Sequence, residues 1–202
     1  MSSTLVIVAI TCLVSLLAFG QPDLLRRLIL WPPAISRDHQ YYRLLSYGLI
    51  HADGQHLLFN MLTLYFFGTV MEGLYQRYLG PFGFYGFYCG GLVVSILPTY
   101  LRNRANPAYR SLGASGAVSA VLFAFILLRP WSTILVFFFP LPAVIYAALY
   151  VAYTFYMERR GRDNVNHSAH LWGAAYGVAF TVLMEPRVLG AFVQALTHPG
   201  LR

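Results

Sequence analysis

Lysine is absent from this chain of 202 residues, and Asp and Glu together number only seven. Charged residues make up 10% and hydrophobic ones 58%, which is too little charge to build a water-soluble surface. Cysteine is nearly absent too. Cys12 and Cys89 both fall within apolar stretches, show no CxxC or disulfide spacing, and read as packing residues. There is no HExxH, no internal repeat and no low-complexity segment. All fourteen basic residues are arginine and the net charge is +7, but they sit in short loops between apolar runs rather than along one soluble face. That arrangement argues against nucleic acid as a partner.

What the chain has instead is long uncharged runs. Residues 1–22, 78–101, 111–128, 131–157 and 164–184 contain no Asp, Glu, Lys or Arg, and 54–71 carries only Gln55, His56 and Asn60 as strongly polar groups. Each run approaches the roughly 20 residues that a helix needs to cross the hydrocarbon. Because lipid cannot satisfy exposed backbone groups, such runs predict helices rather than strands. The expectation is an all-α, polytopic membrane protein: one transmembrane domain over 1–202 with six spans near 4–20, 55–77, 82–101, 114–128, 131–157 and 167–185.

The first run has no preceding arginine and no convincing cleavage site, so it reads as a retained helix rather than a signal peptide. Pro98, Pro140 and Pro142 remove backbone donors, and the last two should bend or break the fifth span. The longest polar connection, 21–54, holds Trp31, Tyr41 and Tyr42, residues suited to a membrane interface. With six spans, Arg77, Arg129, Arg187 and Arg202 fall on the N-terminal side. Arg26, Arg27, Arg37, Arg43, Arg102, Arg104, Arg110, Arg159, Arg160 and Arg162 fall on the other. The positive-inside rule therefore favours a cytoplasmic location for the second face.

Polar groups inside a membrane are costly, which makes each a functional candidate. Three clusters stand out. His56 and Asn60 are four residues apart, hence on one helical face, where both could donate to one oxygen; the plainer alternative is bonding to neighbouring helices. Gly113-Ala114-Ser115-Gly116 opens the fourth span, where a helix N-terminus leaves backbone N–H groups free; the plainer alternative is an N-cap serine and a Gly116/Ala120 packing face. His170, Gly173 and Gly177 line one face of the sixth span, a close-packing seam with an imidazole at its top. Such a seam needs a partner with equally small residues, and the fourth span supplies one. A hydroxyl bonded to an imidazole is how a weak nucleophile is activated. Glu72 and Glu185 lie at the far ends of their spans, leaving a Ser–His dyad rather than a triad.

HxxxN on the second span, GxSG opening the fourth and AHxxG on the sixth, in this order, resemble a rhomboid intramembrane serine protease, over roughly residues 40–185. The resemblance implies Ser115 as nucleophile, His170 as general base and then general acid, and an oxyanion held by the Ser115 N–H with His56 and Asn60. It implies transmembrane protein substrates cut near the bilayer surface, no cofactor, and residence in a bacterial inner membrane. Loop 21–54 resembles the family's first loop, with Tyr42-Arg43 where many members have Trp-Arg, and Glu72 and Arg77 resemble the acidic and basic residues after HxxxN. One departure is Ser119, where some members have a tyrosine that stacks on the catalytic histidine. Another group must orient His170 here.

Rival readings are weaker. A metal hydrolase could draw on His51, His56, His167 and His170 at one end of the bundle, but no carboxylate joins them on a span. A transporter would show repeat symmetry. A catalytically silent rhomboid-like protein that binds membrane clients would be expected to lack Ser115 or His170, and both are present.

Overall fold

The computed structural model describes residues 2–198 apart from Phe137, Arg162 and Asn164. Arg162 and Arg202, two of the arginines assigned to faces above, therefore lie outside the described residues.

Six apolar helices stand near the six expected places: α1 (Ser3–Gly20), α5 (Gly54–Leu79), α6 (Gly83–Asn103), α7 (Ser115–Leu128), α8 (Ala143–Arg160) and α9 (His167–Met184). The connection between α1 and α5 folds into three short helices, α2 (Pro22–Leu28), α3 (Pro32–Asp38) and α4 (Arg43–Ser46), followed by a single tight turn at Tyr47–Leu49. Local chemistry sets several starts. Ser2 accepts from the Leu5 N–H to begin α1, Asp53 accepts from the His56 N–H to begin α5, and Asn166 accepts from the Ala169 N–H to begin α9.

Among the described residues, three helices are long and apolar enough to cross a membrane by themselves: α1, α5 and α6. The others fall short for identifiable reasons. α7 has only 14 residues, α8 ends in Glu158, Arg159 and Arg160, and α9 opens with His167, Ser168 and His170. A fourth span results if α9 is joined to the bent segment after it.

The fold corrects the expectation for 131–157. That run is not one bent helix. Thr133–Val136 (β1) pairs antiparallel with Phe139–Pro142 (β2), and α8 starts only at Ala143. Pro140 and Pro142 therefore interrupt no helix; they occupy a strand opposite Leu135 and Thr133 and end where α8 begins. Proline tolerates a short two-stranded edge because it has no donor to lose there. The segment after Glu185 also has more structure than its sequence announces. Arg187–Thr197 forms α10, turned 113° from α9, and the Trp131 indole N–H donates to the Ala195 carbonyl at 2.8 Å.

α7 is the centre of the bundle. Every residue from Gly116 to Leu127 is buried, as expected of a helix apolar on all faces. α9, α5 and α6 pack around it, α1 packs on α5, and α8 leans on α9. The N-terminal ends of α7 and α9 consequently share one end of the bundle with the loop that contains α2 to α4.

Candidate active site

Helices α7 and α9 approach as closely as two backbones can, and glycine is the reason. A Cβ on Gly173 would lie 2.0 Å from the Gly116 carbonyl oxygen, and one on Gly177 would lie 2.1 Å from that of Ala120. Neither contact can be relieved, because the obstructing atoms are main chain. On the other side of α7, a Cβ on Gly116 would strike the Ser95 hydroxyl at 2.3 Å. This zipper of small residues, expected from the sequence, aligns the tops of the two helices.

At the top of the zipper, His170 Nε2 lies 2.7 Å from Ser115 Oγ. The N-cap of α7 is Ala114, which offers no side chain, so Ser115 is the first helical residue and its hydroxyl turns to the imidazole rather than to the backbone. The Ser115 N–H belongs to the first turn of α7 and has no helical acceptor. Gly113, just before, adopts φ of +108°, and a side chain there would collide with the His56 ring at 2.6 Å. Glycine at 113 thus lets the loop fold tightly over His56.

Ser115, His170, His56 and Asn60 line one cavity of about 960 Å³. Asn60 is almost fully buried, and its amide donates to the His56 carbonyl at 2.9 Å within α5. Among the described residues, no hydrogen bond joins the Asn60 side chain to a neighbouring helix. Arg110 and Asp163 also line the cavity, and the Arg110 guanidinium lies 4.6 Å from the centre of the Trp31 ring.

Further residues support the cavity: Ser15, Leu30 and Ser111 carried no signal in the sequence, whereas His51 and Arg43 had been noted there for other reasons. Ser15 of α1 donates to the Leu49 carbonyl at 2.9 Å and meets His51 Nδ1 at 3.0 Å, while His51 Nε2 accepts from the Ala114 N–H at 3.4 Å. These bonds require a neutral His51 protonated at Nδ1. Burial pushes its imidazole down to about 3, with His56 adding to the effect and Asp53 opposing it. Arg43 is buried in the loop before α5 and donates to the Arg26 and Ile29 carbonyls, at 2.9 and 2.6 Å. Leu30 then pairs with Ser111 in an isolated two-way bridge, tying this loop to the chain that enters α7.

The four histidines of the discarded metal reading do gather at this end, as two ring pairs: His51 with His56 at 4.9 Å and His167 with His170 at 6.1 Å. Among the described residues, no three His, Cys, Asp or Glu side chains converge as metal ligands. His167 instead contacts the Asp163 carboxylate at 3.0 Å, and this hydrogen bond draws the carboxyl below its ordinary range. Glu72 and Glu185 serve elsewhere. Glu72 accepts from the Ser2 hydroxyl and the Thr4 N–H, and Glu185 pairs with Arg187 and Tyr78.

An apolar helical bundle with a serine and a histidine meeting in a cleft at one end defines a class of membrane protein, and comparison with known proteins says which. The Rhomboid domain matches residues 38–187, and the chain belongs to the rhomboid family. It is 32% identical over 156 residues to the RHOMBOID-like protein 12, mitochondrial, of Arabidopsis thaliana, a match covering 69% of this chain and 45% of that protein. It is 33% identical over 135 residues to the Rhomboid protein 1, mitochondrial, of Saccharomyces cerevisiae, covering 64% and 38%. The Rhomboid protease GlpG of Haemophilus influenzae is 31% identical over 121 residues, covering 59% and 58%. The matched region thus spans less than half of each of the two mitochondrial relatives.

Proposed function

We propose that this rhomboid is an intramembrane serine endopeptidase that uses Ser115 and His170 as a catalytic dyad to cut transmembrane segments of other proteins. The single observation that supports this most strongly is the 2.7 Å contact between Ser115 Oγ and His170 Nε2 in a cavity that His56 and Asn60 also line. His170 takes the hydroxyl proton as Ser115 attacks the scissile carbonyl, then returns it to the departing amine. Water next attacks the acyl-enzyme, with His170 again as base, releasing the acid product and restoring the serine. The developing oxyanion is held by the Ser115 N–H, the Asn60 amide and the His56 ring, donors each worth about 10²–10³ in rate where such groups have been measured.

The length of α7 supports cutting near the bilayer surface. Fourteen residues rise about 21 Å, against about 30 Å of hydrocarbon. With its foot, marked by Arg129 and Trp131, at one boundary, a serine at its head lies about 9 Å short of the other. Water reaches it through the cavity. In this reading all six apolar helices cross the bilayer, and α8, the least buried of them, is the lateral gate for a substrate helix.

The relatives named above include two from mitochondria, so they do not support the bacterial inner membrane expected from the sequence. The coarser statement stands: this is a membrane-spanning rhomboid.

A fluorophosphonate probe tests the chemistry. The wild-type protein in detergent should be labelled, Ser115→Ala should not, and His170→Ala should react at least about 10³-fold more slowly. Labelling that persists in Ser115→Ala moves the nucleophile elsewhere. A wild-type chain that takes no label while folded favours a silent, client-binding rhomboid.

A further inference from the structure

Rhomboid resemblance left open what orients His170, since residue 119 is serine rather than an aromatic residue. A dyad has no carboxylate behind the imidazole, so its plane must be fixed by packing. Two rings do this. The edge of His167 meets His170 at 6.1 Å and 72° from below in sequence, and the face of Tyr150 lies nearly parallel to it, at 6.2 Å between centres and 21° between planes. Tyr150 is itself held. Its hydroxyl is 2.8 Å from Ser119 Oγ, and its ring packs on Phe123 at 5.4 Å and Tyr146 at 5.8 Å.

We propose that Tyr150, anchored by Ser119, is the positioning residue that holds the His170 ring in line with Ser115; this rests on the dyad reading above. The aromatic support comes from α8 rather than from α7, and a serine on α7 is its hydrogen-bond partner. Position 119 lies one turn below Ser115, on the same side of the buried helix as His170, so whichever residue stands there borders the imidazole's pocket. Because Ser119 Oγ already touches the Tyr150 hydroxyl, a larger ring at 119 would grow toward Tyr150, and in this chain it is Tyr150 that lies beside His170. One consequence is mechanical. α8 has only Ala143 and Thr154 buried, so the orientation of the base depends on the seating of the least buried helix.

The test uses the full chain in detergent and in vesicles, with fluorophosphonate labelling rates and kcat and KM for a membrane substrate. Tyr150→Leu fills similar apolar space without a flat face. It should lower the labelling rate and kcat by about 10- to 100-fold, the scale of a small misplacement of a reacting group, with KM little changed. Tyr150→Phe keeps the ring and should stay within about threefold of wild type. Tyr150→Ala should be as slow as Tyr150→Leu, and adding Ser119→Tyr to it should restore a large part of the rate, because the new ring grows into the emptied volume. If Tyr150→Leu does not unfold cooperatively like wild type, the Tyr150→Ala and Tyr150→Ala/Ser119→Tyr pair decides by the presence or absence of that restoration. Wild-type labelling in Tyr150→Leu, or no restoration in the double variant, overturns the proposal while leaving the dyad intact. Labelling that survives Ser115→Ala overturns the dyad and this proposal with it.

Discussion

Two helices that both reach His170 could hardly differ more. α7 is buried along its length from Gly116 to Leu127 and locked to α9 by backbone contacts that admit no side chain. α8 buries only Ala143 and Thr154, and presents Ile145, Leu149, Val151, Tyr153, Phe155 and Tyr156 outward. The first helix can change position only by breaking the bundle. On the gate reading proposed above, the second can move and leave the bundle standing. In a protein whose proposed substrate is itself a helix in the bilayer, this division is what the task demands: a fixed pair of reacting groups beside a wall that can yield.

Breaking the rigid side should have the largest effect. Gly177→Val puts carbon atoms where the Ala120 carbonyl now stands, at 2.1 Å for the first of them. Separating α7 from α9 is the only relief, and that also separates Ser115 from His170. Overpacking a well-fitted interface costs about 1–3 kcal/mol and more when main chain must shift. The upper end or beyond is expected here, read as a lowered unfolding midpoint in detergent and near-complete loss of labelling. Full labelling in a stably folded Gly177→Val would show that the seam does not set the dyad.

Restraining the yielding side should have a narrower effect. A crosslink engineered between α8 and α5 should reduce cleavage of a membrane-embedded substrate by about tenfold, as expected when closure of a gating element limits access, while labelling by a small fluorophosphonate continues. Cleavage that is undiminished in the tethered protein would count against α8 as the gate. Reduced labelling would instead mean that the crosslink disturbed Tyr150 and hence His170, so the two readouts separate access from chemistry.

How much of this was legible beforehand varies with the kind of interaction. The apolar runs located five of the helices within a few residues and the far end of α8, whose start lies twelve residues later than expected, because charge-free length is a property of the chain alone. The small-residue spacing on 116/120 and 173/177 announced the α7–α9 contact, because only glycine and alanine permit one so close. The hairpin at 133–142 was not legible: a run rich in Leu, Val and Phe looks the same whether it forms a helix or a pair of short strands, and the prolines suggested a bend rather than an edge. Long-range side-chain partners were equally hidden. Ser15 touches His51, 36 residues away, and Tyr150 touches Ser119, 31 residues away, and no local pattern marks either. For Tyr150 there was one indirect signal, the serine at 119, which said that some other group must orient His170 without saying what kind or which.

The smallest effect should come from the outer face of α8, and it sharpens the contrast most simply. Leu149 is 58% exposed on α8, and Leu64 of α5 is 0% exposed. On the proposed six-span reading the surroundings of Leu149 are lipid tails as apolar as leucine itself, so neither a hydrophobic gain nor a hydrophobic loss follows. Leu149→Ala removes only contacts with mobile chains and should change stability by less than about 0.5 kcal/mol. Leu64→Ala leaves a hole between helices that lipid cannot enter and should cost about 2–5 kcal/mol. Parallel denaturation of the two variants in detergent measures the difference directly. Equal losses would mean that the outer face of α8 is covered by protein, either another copy or a bound partner, and the wall now read as free to move would be held.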